Sequence, residues 1–288
     1  MRTRQFRLRF SVRCTGAQAD GMPMNNPLCG WSSCAITHVG KVRRSNEDSF
    51  LDRPDLGLWA VADGMGGHRA GDAASRMIVE SLGRLKTAAS FGEFVAAAEA
   101  SLRSVNAALF AKGEEYRAPT GSTVVALLSD GSEGACLWAG DSRAYRWRDR
   151  GLTQLTRDHS QIEAYVRLGL IGRAEASLHP LSNVLTRAVG TQVDLGLETL
   201  ALDPAAGDRY LLCSDGLYRH VTEQEIGEVL SAGPLSHAAD TLLDFTLARG
   251  ANDNVTVVLV EFCPVGATPD SDLTSDVTLP NLSSASRS

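Results

Sequence analysis

The hydrophobic positions of this chain recur with two periods, and each period predicts a different kind of element. Short apolar runs, rich in β-branched residues and bounded by Gly or Asp, predict strands. They lie at 33–38, 57–62, 122–128, 135–139, 144–148, 209–213 and 255–262. Several follow one another through short turns, such as 129–132, which favours antiparallel pairing over parallel β-α-β units.

Longer segments repeat their apolar residues every three or four positions, as the buried face of a helix does. They lie at 71–85, 94–109, 222–230 and 238–247. The third opens with Thr222 and Glu225, a spacing that indicates a capping box at a helix start. Strands in sheets with helices outside them predict an α+β layered domain.

Composition indicates one globular domain with two ends of different character. Of the 288 residues, 43% are hydrophobic and 22% are charged, and we place one domain at residues 31–263. Residues 1–30 begin with a basic stretch, 1–13, that carries five arginines and no acid, whereas 264–288 are dominated by Pro, Ser, Thr and Asp. We expect both ends to be disordered.

Charge, hydropathy and cysteine content argue against several classes of protein. The net charge of −6 argues against general nucleic-acid binding. No apolar run approaches the roughly 18 residues that a membrane span requires. The six cysteines have spacings that suggest no disulfide framework, which fits a reducing cytoplasm.

Acidic residues recur where predicted strands meet their loops. An aspartate follows each of three strands, another precedes the last strand, and two acids come earlier in the chain. They are Asp63, Asp141, Asp215 and Asp253, with Glu47 and Asp48. An ordinary Asp-Gly turn explains any one of them alone. As a set they would repel one another without a cation, and oxygen ligands select Mg²⁺ or Mn²⁺ over zinc.

Motifs of several other catalytic classes do not occur in the sequence. It has no Gly-x-Ser-x-Gly nucleophile elbow and no Gly-x4-Gly-Lys-Ser/Thr phosphate loop. It also has no His-Glu-x-x-His zinc helix. Hydrolysis assisted by hard metal ions is the chemistry that best fits the acids.

Eight short motifs follow the order in which they occur in one enzyme family. They lie at 42–48, 61–68, 120–123, 139–143, 155–160, 185–190, 214–217 and 252–256. Over roughly residues 33–262 the sequence resembles a bacterial, stand-alone, metal-dependent protein serine/threonine phosphatase of the type 2C class. The resemblance implies two packed antiparallel β-sheets flanked by helix pairs, an α-β-β-α sandwich.

The resemblance assigns most of the acids to a centre of two Mn²⁺ or Mg²⁺ ions. Asp63 would bridge both ions, and the Gly64 carbonyl would be a further ligand. Asp215 and Asp253 would bind the first ion. Glu47 would hold water at the metals.

Other residues of the implied site concern a third ion, the substrate and the leaving group. Asp141 matches the aspartate of a third, weaker metal site in bacterial members, with a structural turn acid as the alternative. Arg43 would hold the substrate phosphate, with a surface charge beside Arg44 as the alternative. Some members have a histidine where this chain has Met65, and a thioether cannot donate a proton. His68 is near in sequence, but the general acid stays unassigned.

The segment 160–183 matches the variable flap of the family. Its apolar residues, Tyr165, Leu168, Leu170 and Ile171, predict a short amphipathic helix beside the site. Arg167 and Arg173 are candidates to meet an acidic or phosphorylated substrate, with plain packing as the alternative.

The implied function is hydrolysis of phosphoserine and phosphothreonine on proteins, in opposition to a bacterial serine/threonine kinase. The partners would be that kinase and other phosphoproteins, without nucleic acid or a membrane span, and the enzyme would be a cytoplasmic monomer. Residues 35–40 also resemble stand-alone phosphatases found beside type VI secretion kinases. The alternatives are a phosphatase for an anti-sigma-antagonist-type phosphoprotein and an inactive pseudophosphatase scaffold, which would require broken metal ligands.

Overall fold

Two antiparallel sheets form the centre of the molecule. The computed structural model describes residues 10–12, 29–66, 70–116, 120–172, 175, 179, 181 and 184–265. The strands of this part are β1 (Phe10–Val12), β2 (Cys29–His38), β3 (Asp48–Arg53), β4 (Leu58–Met65), β5 (Gly121–Ser122), β6 (Val124–Ser129), β7 (Gly134–Ala139), β8 (Arg143–Arg148), β9 (Gly151–Gln154), β10 (Glu198–Leu202), β11 (Arg209–Cys213) and β12 (Val255–Pro264).

The strand order brings distant parts of the chain together at one end of the sheets. The first sheet has the order β1-β2-β12-β11-β8-β9, and the second has the order β10-β7-β6-β4-β3, with β5 paired to the end of β4. The start of β3 and the end of β4 meet, because Asp48 lies opposite Asp63. The end of β11 meets the start of β12, where Cys213 lies opposite Val257.

Helices cover the outer faces of both sheets. The helices of the described part are α1 (Ala70–Gly83), α2 (Phe91–Tyr116), α3 (Gln161–Arg167), α4 (Asp215–Tyr218), α5 (Glu223–Leu230) and α6 (Leu235–Ala248), and all but α3 contribute to the core on these faces. The capping box predicted at Thr222 and Glu225 is confirmed at the start of α5. Among the described residues, no helix is both long and apolar enough to cross a membrane.

The hydrophobic core has three layers, since alternate residues of a strand point to opposite faces. On β4, Leu58 and Ala60 pack with α1 and α2, whereas Trp59 and Val61 pack between the sheets. The outer face of the first sheet packs against α4, α5 and α6. The predicted α-β-β-α sandwich is therefore confirmed.

The strand predictions are right in the interior of the sheets and miss their edges. Every predicted run coincides with an interior strand, although 122–128 is divided into β5 and β6. The four strands that were not predicted, β1, β3, β9 and β10, are the outermost strands of the two sheets. Edge strands are half solvated, so β3, β9 and β10 carry polar residues in place of a continuous apolar run.

Described strands extend into both ends that the sequence places outside the domain. Phe10–Val12 form β1, which pairs with β2, and β2 itself begins at Cys29 instead of after residue 30. At the other end, β12 continues to Pro264. The rest of 1–30, and 266–288, lie outside the described residues.

Candidate metal centre

Asp63 occupies the end of β4 rather than the loop that the sequence predicts. The strand continues through Gly64 to Met65, because β5 pairs with these last residues. Thr123 holds the Asp63 backbone on both sides: the Asp63 amide donates to Thr123 Oγ1 at 3.0 Å, and the Thr123 amide donates to the Asp63 carbonyl at 2.9 Å. The position of the Asp63 backbone is therefore fixed by strand pairing.

Two glycines allow the segment that carries Glu47 to approach β4. The Gly64 amide donates to the Glu47 carbonyl at 3.1 Å. A Cβ atom on Gly64 would lie 2.1 Å from the Gly71 carbonyl oxygen, and one on Gly71 would lie 2.5 Å from Oε2 of Glu47. The Cβ atom on Gly71 would also lie 2.9 Å from the Gly64 carbonyl oxygen, so at both positions a side chain would press against backbone. The Glu47 carboxylate therefore lies against the backbone at the start of α1.

Asp48, at the start of β3, links the two sheets through hydrogen bonds. Its Oδ2 accepts hydrogen bonds from Ser214 Oγ and Thr256 Oγ1, both at 2.7 Å. Ser214 immediately precedes Asp215, and Thr256 lies near the start of β12. Asp48 therefore links β3 to the residue before Asp215 and to β12.

Asp215 begins the short helix α4, directly after β11. A Cβ atom on the next residue, Gly216, would lie 1.9 Å from the Asn254 carbonyl oxygen, so only glycine allows α4 to pack against the start of β12. Oδ2 of Asp215 forms an ion pair with Arg219 at 2.8 Å. Among the described residues, Oδ1 of Asp215 is buried without a hydrogen-bond partner.

Asp253 and Arg43 lie together at the outer side of the site. Arg43 Nη2 donates to Asp253 Oδ2 at 2.6 Å, and 55% of the Arg43 side chain is exposed. The neighbouring Asn254 fixes this corner, because its Nδ2 donates to the Val39 and Ser45 carbonyls and its Oδ1 accepts from the Glu47 amide. Arg43 is thus both exposed at the surface and paired with one of the acids.

Asp141 completes the group of acids from the turn between β7 and β8. Its side chain is buried, and its carbonyl accepts a hydrogen bond from the Tyr218 hydroxyl at 3.1 Å. The residue before it, Gly140, donates its amide to Nδ1 of His159 at 3.2 Å. Nε2 of His159 in turn lies 3.1 Å from Oε1 of Glu198. The Asp141 turn is therefore held by α4 and by a buried histidine.

The acids perturb one another. The pKa of both Asp48 and Asp141 is raised from 3.8 to about 7, mainly by burial and in part by the charge of Asp215. Burial is also the main reason that the pKa of Asp63 lies well above its ordinary value, followed by the charges of Asp48 and Asp215. These shifts require that the acids, although distant in sequence, lie within electrostatic reach of one another.

The donor chemistry fits hard divalent cations, although the carboxylates do not converge on one point. In the described ranges, no three His, Cys, Asp or Glu side chains form a ready metal-binding group. Two arginines hold carboxylates of this group: Arg219 pairs with Asp215, and Arg43 pairs with Asp253. Divalent cations would relieve the repulsion and would satisfy Oδ1 of Asp215. The residues present therefore fit an oxygen-ligated Mg²⁺ or Mn²⁺ centre.

Several expectations about neighbouring residues can be compared with the structure. Met65 ends β4, and both His68 and Arg173 lie outside the described residues. The predicted flap helix is α3, which begins after the Ser160 cap and ends at Arg167. The sequence placed Leu168 and Leu170 on the apolar face of this helix. Both residues instead follow α3 and are exposed.

Arg219 is the site residue that the sequence analysis missed. It follows Asp215 by four positions, a spacing that pairs side chains across one helical turn. Arg219 also follows Cys213 by six positions, which is the spacing of a thiolate phosphatase loop. Cys213 lies in the core, and burial raises the pKa of its thiol to about 12. Cys213 is therefore a core residue rather than a nucleophile.

Comparison with known proteins agrees with this geometry. The profile of the family described as "Protein phosphatase 2C" matches residues 41–259, which is more than half of the chain. The chain belongs to the protein phosphatase 2C family. Within the family, serine/threonine protein phosphatase PstP of Mycobacterium tuberculosis is 38% identical over 226 residues. That alignment covers 77% of this chain and 43% of PstP, so the chain spans less than half the length of this relative.

Solved structures of the family resemble the chain over almost their whole length. PppA, described as a key regulatory component of T6SS in Pseudomonas aeruginosa, gives a TM-score of 0.76 at 41% identity, covering 81% of this chain and 97% of that one. The catalytic domain of PstP, solved in complex with two manganese ions, gives a TM-score of 0.74 at 35% identity. It covers 81% of this chain and 98% of that domain.

Proposed function

We propose that this protein phosphatase 2C chain hydrolyses phosphoserine and phosphothreonine esters on proteins with a pair of Mg²⁺ or Mn²⁺ ions. The observation that carries the proposal is the group of buried, mutually repelling aspartates around Asp63. Burying such a group is costly for stability unless cations compensate its charge, so it indicates a functional role. The manganese ions in the related PstP domain support the same assignment.

The acids divide into ligands and supports by their position. We assign Asp63, Asp215, Asp253 and the Gly64 carbonyl as ligands of the ion pair, and Glu47 as the residue that orients water beside them. Asp48 supports these ligands through the residues that flank them, Ser214 and Thr256. Bound cations would supply positive charge for the phosphate dianion and would make water a stronger nucleophile.

Arg43 is the proposed phosphate-binding side chain. Its guanidinium already lies at Asp253 and is more than half exposed, so it can reach both the acids and a ligand from solvent. A planar guanidinium binds phosphate oxygens in pairs, which orients the ester relative to the attacking water. Met65 has no acidic proton to donate, so protonation of the leaving serine or threonine oxygen falls to water.

The experiment measures phosphate release from a phosphothreonine peptide with Mn²⁺, with excess EDTA, and with an Asp63→Asn variant. We expect release with Mn²⁺ only, and a loss of at least about 100-fold in the variant. Asp52→Asn serves as the matched control: Asp52 is an aspartate of β3 whose Oδ1 accepts from Ser33. Activity that persists in EDTA would refute the metal mechanism, and a folded but inactive wild-type chain would favour a binding scaffold.

The pathway is proposed from similarity alone. PppA is described as a regulatory component of T6SS, and its structure is 41% identical to this chain. We propose that this chain opposes a cytoplasmic serine/threonine kinase of a comparable system. A phosphoproteome of a deletion strain tests this: the proposal requires gained phosphosites on secretion components, and gains confined to an anti-sigma-antagonist-type protein would contradict it.

A further inference from the structure

Arg219 places a fixed positive charge among the acids of the proposed metal centre. It directly follows α4, one helical turn after Asp215, and its Nη2 lies 2.8 Å from Oδ2 of that aspartate. One third of the Arg219 side chain is exposed and 13% of the Asp215 side chain is. An arginine keeps its charge at any pH at which the protein is folded, so this cation is permanent.

The two oxygens of Asp215 have different partners. Oδ2 is held by Arg219, whereas Oδ1 is buried and has no hydrogen-bond partner among the described residues. A divalent ion can therefore bind Oδ1 without disturbing the ion pair. An ion that binds Oδ2 would have to compete with Arg219 for it.

Arg219 also directly follows Tyr218, the residue of α4 that holds the Asp141 turn. The Tyr218 hydroxyl donates a hydrogen bond to the Asp141 carbonyl and so holds the Asp141 turn against α4. The guanidinium therefore binds the Asp215 carboxylate at the point where α4 meets the Asp141 turn.

We propose that Arg219 takes the place of a divalent ion between Asp141 and Asp215, so that this side of the site binds Mn²⁺ or Mg²⁺ only weakly. The proposal rests on the proposed function, because it takes Asp215 as a metal ligand. A third ion would have to displace the guanidinium from Oδ2, and its charge would be repelled by the arginine. The chain is thereby adapted to work with an ion pair plus an internal cation.

Mn²⁺ binding tests this proposal without reference to activity. The free ion is measured by electron paramagnetic resonance during titration of wild-type protein and of Arg219→Gln, with Arg219→Lys as the charge-retaining variant. We expect the weakest-bound ion to bind about tenfold more tightly in Arg219→Gln, because one positive charge is removed next to its ligand. Arg219→Lys should stay close to wild type.

Two further variants locate the effect. Arg103→Gln removes an arginine from another i,i+4 pair, with Glu99 on α2, and should leave Mn²⁺ binding unchanged. Asp141→Asn in the Arg219→Gln background should abolish the gain in affinity. If Arg219→Gln does not fold by circular dichroism, Arg219→Met replaces it, because Met retains the length of the side chain without its charge.

The outcomes separate this inference from the proposed function. Equal Mn²⁺ affinity in wild type and the neutral Arg219 variant overturns the inference, as does an equal gain in Arg103→Gln or a gain that survives Asp141→Asn. Phosphate release by the wild type is scored independently. A chain that releases phosphate but shows no effect of Arg219 leaves the proposed function intact and removes the inference alone.

Discussion

Without bound metal, the free energy of unfolding of this protein should decrease as the pH rises from about 5 to about 7. The folded state raises the pKa of Asp48 and Asp141 from 3.8 to about 7, chiefly through burial. In this window the unfolded chain has released these protons and the folded chain keeps them. Because the folded state then binds more protons, each increase in pH favours unfolding.

The size of the effect follows from the number of protons that the folded state retains. Each retained proton changes the free energy of unfolding by about 1.4 kcal/mol per pH unit. Because the acids repel one another, a proton on one of them makes it easier for the next to ionise. We therefore expect the folded state to retain one to two protons in total. Burial lowers the pKa of His159, so this group makes the free energy of unfolding increase with pH. It is a single group, and its contribution ends near its ordinary pKa of 6.5. The net slope is therefore about −1 kcal/mol per pH unit.

The assay is urea unfolding in EDTA at several pH values, repeated with Mn²⁺ and with an Asp48→Asn variant. The variant should show a shallower slope, because its side chain carries no titrating proton. Mn²⁺ should raise stability most at the higher pH, where the carboxylates are free of protons. A free energy of unfolding in EDTA that stays level or increases between about pH 5 and pH 7 would refute the reasoning.

Two substitutions test the packing that positions the site. Gly216→Ala should lower the free energy of unfolding by about 3 kcal/mol or more, because the new Cβ would lie 1.9 Å from the Asn254 carbonyl oxygen. Gly92→Ala is the control: a Cβ at Gly92 would meet no atom within 4 Å, so this variant should not be destabilised. Equal stability of both variants would show that α4 packs differently. Arg143→Lys should cost about 2 kcal/mol in urea unfolding, because Lys cannot reproduce the paired hydrogen bonds to Asp158; an unchanged midpoint would contradict this.

The sequence predicted what depends on local pattern. Interior strands such as β7 are apolar along their length because both faces are covered, so their pattern alone identifies them. The polar edge strand β3 lacks such a run, and its position follows only from pairing with β4. The Thr222 cap, in contrast, could be predicted from the sequence, because a capping box depends on residues only three positions apart.

The acidic site was predictable as a set of residues but not as a geometry. Asp63, Asp215 and Asp253 could be chosen because each lies beside a strong strand pattern. Their approach depends on sheet order and on glycines such as Gly216, which no local pattern describes. The pairing of Arg219 with Asp215 could have been anticipated from their i,i+4 spacing at a helix start.

The central claim is that Asp63, Asp215 and Asp253, with Glu47 beside them, hold a pair of divalent ions. The most direct measurement is a crystal of the protein grown with Mn²⁺, examined in an anomalous difference map at the manganese edge. We expect two peaks about 3.5–4 Å apart, with an oxygen of Asp63 bound to both. A map without a peak within bonding distance of Asp63 and Asp215 would contradict the account.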